Sequence, residues 1–65
     1  MKGRVKWFSR ERNFGFLIGE DKKDYFFHGS EVQGDGKIFE FDEVEFIAEK
    51  TKKGLSATNI VVKKY

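Results

Sequence analysis

Phe14 and Phe16 stand two residues apart in Arg12-Asn13-Phe14-Gly15-Phe16-Leu17, with a glycine between them and a cation just ahead. On an extended strand, residues i and i+2 project from one face, so this spacing sets two flat rings side by side. Gly15 points the other way, where only a hydrogen fits and the backbone can be approached closely. A half-solvated strand normally alternates apolar inward with polar outward. Tyr25-Phe26-Phe27-His28 is aromatic on both of its faces, so one of them must be an aromatic surface. The chemistry such a surface offers is stacking against something flat. Bond-making chemistry is poorly supplied. His28 is the only histidine and there is no cysteine, which leaves no metal-ligand set. Ser9, Ser30 and Ser56 lie in no nucleophile motif, and Gly34-Asp35-Gly36 is too short and too acidic to cradle a phosphate. No catalytic activity, metal or cofactor is expected.

Sixty-five residues allow one small domain, spanning residues 1–65, with a core of marginal size. Without cysteine no disulfide reinforces it. No charge-free apolar run is long enough for a membrane span or a leader, so the expectation is a soluble, cytoplasmic protein. The eight phenylalanines exceed what so short a chain needs for a core. Charge is segregated along the chain. Residues 1–16 carry Lys2, Arg4, Lys6, Arg10 and Arg12 against Glu11 alone. Residues 17–49 hold ten acids against Lys22, Lys23 and Lys37, and residues 50–65 have five lysines and no acid. If the two ends meet in space they create a positive field that steers polyanions; the plain alternative is a solvated surface of mixed charge.

These side chains need strands to position them. Residues 2–8, 14–18, 24–28, 43–49 and 56–63 read as five short strands, and no stretch has helical periodicity. Ser30-Glu31-Val32-Gln33 suggests one helical turn that plugs Val32 into the core. Five strands in so short a chain suggest a closed or nearly closed antiparallel barrel, which removes sheet edges. Val5, Leu17, Tyr25, Phe27, Val32, Val44, Phe46, Ile60 and Val62 are expected inward, and Ala48 alternates with Glu49 in register with Val44 and Phe46. The same alternation sends Lys6, Phe14, Phe16, Phe26 and His28 to the opposite face. Trp7 and Phe8 are adjacent, so strict alternation puts only one of them there; a bulge near Ser9 would bring both round.

Gly3-Arg4-Val5-Lys6-Trp7-Phe8, Phe14-Gly15-Phe16-Leu17 and Phe26-Phe27-His28, in this order and at this spacing, resemble the bacterial cold-shock protein family. Gly54 and Ala57-Thr58-Asn59-Ile60 resemble its last strand, so the likeness covers essentially the whole chain. Two of these stretches, residues 12–17 and 25–28, resemble ribonucleoprotein-type motifs. The resemblance implies an all-β, five-stranded antiparallel Greek-key OB-type barrel that binds single-stranded RNA or DNA across its first three strands. The family's stacking positions match Trp7, Phe8, Phe14, Phe16, Phe26 and His28, and its basic contacts match Lys6 and Arg12. It further implies an RNA chaperone with weak sequence preference, with effects on transcription or translation. A monomer is expected, with a hairpin exchange between copies, invited by the unusual Lys37–Phe41 connection, as the alternative.

The chain also departs from that pattern. Asn13 stands where the family usually has glycine, a substitution eased by asparagine's tolerance of left-handed backbone. Gly29 stands where many members have an aromatic, residues 34–44 form a shorter segment, and Leu55-Ser56 replaces a Pro-Gln pair. Phe39 or Phe41 either substitutes for the family's loop aromatic or belongs to the core. These departures predict a smaller footprint, weaker at the distal end of the face. Lys50, Lys52 and Lys53 read as a solvated loop. A different class of function, an OB-fold module that docks a partner protein on the same aromatic face, also fits the composition.

Overall fold

The computed structural model describes residues 1–34 and 37–63. Five strands, β1 (Lys2–Ser9), β2 (Phe14–Gly19), β3 (Asp24–His28), β4 (Glu43–Thr51) and β5 (Gly54–Val62), close into a barrel in the order β1-β2-β3-β5-β4. A 3-10 turn at Gly29–Glu31 follows β3, and Val32 drops from it into the core. The β1–β2, β1–β4, β2–β3 and β4–β5 seams are antiparallel; β3 meets β5 in parallel at Phe26 and Ser56. Closure is therefore completed by one short parallel seam, where the sequence suggested antiparallel pairing throughout.

Two bulges break the period of two, and both move side chains that matter. In β1, Val5 faces Leu17 but Trp7 faces Phe16, so Lys6 is the extra residue. The bulge lies upstream of the expected position at Ser9. Strict alternation from Val5 would turn Trp7 inward and Phe8 outward; the bulge at Lys6 reverses both. In β5, Val61 faces Glu45 and Thr58 faces Ile47, which leaves one extra residue between them. Asn59 takes the left-handed conformation there, at φ 49°, and the inward positions on β5 become Ala57 and Ile60.

The interior holds Val5, Leu17, Tyr25, Phe27, Val32, Val44, Phe46 and Ile60, with Val62 packed against them, as alternation required. Ile38 and Ala57 complete it. Neither Phe39 nor Phe41 is in the core; both are exposed, and Ile38 takes the buried place in their segment. Ala48 is also exposed, contrary to its alternation with Phe46. β1 pairs with β4 at Glu43–Glu45, and Met1 carries the contact on to Phe46 through backbone hydrogen bonds in both directions; from Ile47 to Thr51 the pairing of β4 is with β5, in a hairpin. The Tyr25 hydroxyl leaves the core to donate a 2.7 Å hydrogen bond to Asp21 in the β2–β3 loop. That bond, with the neighbouring Lys23 N–H, lowers the Asp21 pKa from its ordinary 3.8, and the same bond, with burial and the Asp21 charge, raises that of Tyr25 from 10.0.

Candidate nucleic-acid interface

The outer face of β1–β3 carries four aromatic rings in a closed circuit. Trp7 touches Phe14 and Phe16, and Phe26 touches the same two, with centroid separations of 5.6–5.8 Å. Register explains the circuit. Phe16 lies between Trp7 on β1 and Phe26 on β3, and Phe14 lies one pleat further along β2, opposite His28. The rings meet edge-on or tilted, at interplanar angles of 38–74°, as aromatic quadrupoles prefer. Each supports its neighbours and still faces solvent: Trp7 is 39% and Phe26 38% exposed. A fold of this size gains nothing obvious from holding four large rings at its surface. The arrangement provides a rigid apolar platform for flat ligands.

Gly15 is what lets the two faces of β2 differ so sharply. Phe8 and Phe27 flank it on the inner side and stack across it, with centroids 5.6 Å apart and planes 9° from parallel. A Cβ at position 15 would press on Phe27 and come within 2.8 Å of the Phe8 backbone. Phe8 is thus half-buried against the core, and of the adjacent pair only Trp7 joins the outer circuit.

Charged groups border the platform. Lys6 is exposed on the bulge and pairs with Asp24 at 3.3 Å, both side chains about half in solvent. Exposed pairs of this kind contribute about 0–1 kcal/mol, so an anionic ligand can take Lys6 from Asp24 at little cost. Arg12 is exposed in the β1–β2 turn, ahead of Phe14. Arg10 is engaged elsewhere: its guanidinium lies 4.5 Å from the Phe39 ring centre and donates to the Ile38 carbonyl. On the β3 side, a groove runs between Phe16 and Phe26 and the β4–β5 hairpin, lined there by Thr51, Lys52, Lys53, Leu55 and Ser56. Sequence reading treated those lysines as a solvated loop. Their charge was visible, but only the parallel seam at Phe26 and Ser56 brings their hairpin to the platform. The two cationic ends of the chain do meet in part: Lys52 and Lys53 flank the rings, whereas Lys63 pairs with Glu45 at 3.4 Å on β4, and Lys64 lies outside the described residues.

The sequence model of the "Cold-shock" DNA-binding domain matches residues 1–63. The chain belongs to the cold-shock domain family. It is 44% identical over 63 residues to the cold shock-like protein CspC of Bacillus cereus, covering 94% of this chain and 97% of that protein. The major cold shock protein of Micrococcus luteus is 44% identical over 61 residues, covering 89% and 91% of the two chains. Among solved structures, drosophila Unr CSD456 superposes with a TM-score of 0.78 at 29% identity, covering 97% of this chain and 26% of that longer one. Cold-shock domains are nucleic-acid-binding proteins, and the five-stranded barrel is their OB-type fold. Among the described residues no group of His, Cys, Asp and Glu is placed to hold a metal, and no helix is long and apolar enough to cross a membrane.

Proposed function

We propose that this chain binds single-stranded RNA or DNA across β1–β3, acts as a monomer, and serves as an RNA chaperone. The observation that carries the reading is the closed circuit of Trp7, Phe14, Phe16 and Phe26 on the outer face. Every base has a π-face, so bases stack on such rings with little regard to sequence, at about 1–3 kcal/mol per base. His28 extends the platform past Phe14. Lys6, Arg12, Lys52 and Lys53 neutralise phosphates along both of its margins. Phe8 contributes from beneath, by holding Phe27 and Gly15 flat under the rings. Stacking offsets the loss of base pairing, so the protein keeps strands open; fast release then leaves them free to be read.

Trp7 reports on its own site. Titration with a short thymidine strand should quench its fluorescence, less so as salt rises, because bound phosphates displace counterions. The Phe14→Ala/Phe26→Ala variant should remain folded and lose most of the binding. Quenching that ignores salt would instead indicate apolar docking, as of a partner protein. An unquenched Trp7, with no binding by an independent assay, would overturn the reading.

A further inference from the structure

The β1–β4 seam stops short of the end of β4. Met1 and Phe46 exchange backbone hydrogen bonds at 2.7–2.8 Å, and Gly3 lies opposite Val44 further along the same seam. In an antiparallel ladder, backbone groups two residues apart on a strand point to the same side. The N–H and C=O groups of Ala48 and Lys50 therefore continue the row begun by Val44 and Phe46 and face away from β5. Among the described residues they have no backbone partner. Every residue from 47 to 51 is exposed, so this edge is open to solvent.

The side chains along the edge carry a pattern. Val44 and Phe46 are buried, so alternation places Glu45, Ile47 and Glu49 together on the outer face. Ile47 is 52% exposed, and Val61, opposite Glu45 on β5, is 43% exposed. Glu45 is answered by Lys63, whereas Glu49 has no ion pair among the described residues. Lys50 takes the other face of the strand. Charges on a free edge discourage indiscriminate pairing, and these oppose pairing between copies of this chain. Joining Ala48 to Lys50 of a second copy sets Glu49 against Glu49. Joining Lys50 to Lys50 sets two cations together. Joining Ala48 to Ala48 leaves one residue bonded, because Phe46 is already held by Met1. Like charges directly opposite destabilise a strand pair and opposite charges stabilise it.

We infer that residues 47–50 of β4 form a docking edge for an extended segment of a partner protein. The segment adds antiparallel to β4, in line with β1, and extends the β1–β4 ladder. From its N-terminal end it carries an acid against Lys50, a cation against Glu49, any residue against Ala48 and an apolar side chain against Ile47. Backbone bonds to Ala48 and Lys50 supply affinity, and the alternating side chains supply selectivity. Residues 47–50 belong neither to the ring circuit nor to the groove beside it. The inference therefore goes beyond the nucleic-acid reading and is tested apart from it.

The probe is the blocked peptide Thr-Glu-Arg-Thr-Val, titrated into isotope-labelled protein. The amide resonances of Ala48 and Lys50 should move most and become protected from solvent exchange. Ala48→Pro removes an edge N–H that bonds nothing in β5 and should abolish binding. Glu49→Lys leaves the backbone intact and should weaken the peptide about threefold or more; the peptide Thr-Glu-Glu-Thr-Val should recover that loss. No binding at millimolar peptide, shifts centred elsewhere, or indifference of both peptides to Glu49→Lys overturns the inference. Competition with a thymidine strand for Trp7 would put the peptide on the rings and overturns it too. If the same amides move with protein concentration alone, a second copy occupies the edge and the proposed partner is wrong.

Discussion

Phe26 and Phe27 are consecutive residues of one strand with identical side chains, and they serve different ends. Phe27 is fully buried, stacked on Phe8 across Gly15 and packed in the barrel core. Phe26 is 38% exposed and completes the outer circuit with Phe14 and Phe16. The inner face of β1–β3 is what the fold requires; the outer face holds aromatic area the fold does not bury. On the function proposed above, stability and binding are carried on opposite faces of the same three strands, and substitutions should separate them.

The largest effect belongs to the inner member of the pair. Phe27→Ala should cost about 3–5 kcal/mol through lost burial and the cavity left behind. A domain this small has little stability in reserve, so its thermal transition should be shifted far down or abolished in circular dichroism. Phe26→Ala should change the transition by only a few degrees and instead lose about 1–3 kcal/mol of oligonucleotide affinity. If Phe26→Ala unfolded the protein while leaving affinity per folded molecule intact, the division between the faces would be wrong.

The comparison sharpens at the margins of the platform. Lys52→Ala and Lys53→Ala touch neither core nor ring circuit, and should leave the melting curve essentially unaltered. Each should flatten the dependence of log affinity on log salt by about 0.7 if it contacts one phosphate of a single strand. An unchanged slope in both would remove the β4–β5 hairpin from the interface.

The smallest effect lies where the core reaches solvent, at the Tyr25–Asp21 hydrogen bond. The pKa of Asp21 is lowered in the folded state, so its contribution is present above its unfolded value of 3.8 and is lost as pH falls through the folded value. That of Tyr25 is raised, so the same bond's contribution is present below 10.0 and is lost as pH rises through the folded value. Tyr25→Phe removes the alkaline dependence and weakens the acid one, part of which the Lys23 N–H still supports. Urea midpoints compared at neutral, strongly acid and strongly alkaline pH should show a gap between parent and variant that narrows at both extremes, with oligonucleotide affinity at neutral pH little affected.

Much of this was legible from residues alone. Strand positions followed from alternation and turn residues, and nearly the whole core followed from parity. The outward set Phe14, Phe16, Phe26 and His28 followed from the same rule, since each is an even step from the next on its own strand. Trp7 and Phe8 escaped it, because one extra residue at Lys6 inverts the parity of everything after it. Ile38 escaped for a similar reason: it sits in an irregular segment, where no period indicates which of three neighbouring apolar residues turns inward.

By itself, then, the sequence determined the face taken by residues in the unbroken stretches of strand, because side-chain direction within a regular strand is local geometry. It also determined that aromatic area would be left over for the surface. Three things were settled only by the tertiary structure. The bulge at Lys6 selected Trp7 over Phe8, the parallel seam at Phe26 and Ser56 carried Lys52 and Lys53 to the rings, and the β1–β2 turn packed the Asn13 amide on Gly29. Each depends on which backbone groups pair across long separations. That choice is made by closing the barrel around one shared core, and no local pattern of residues encodes it.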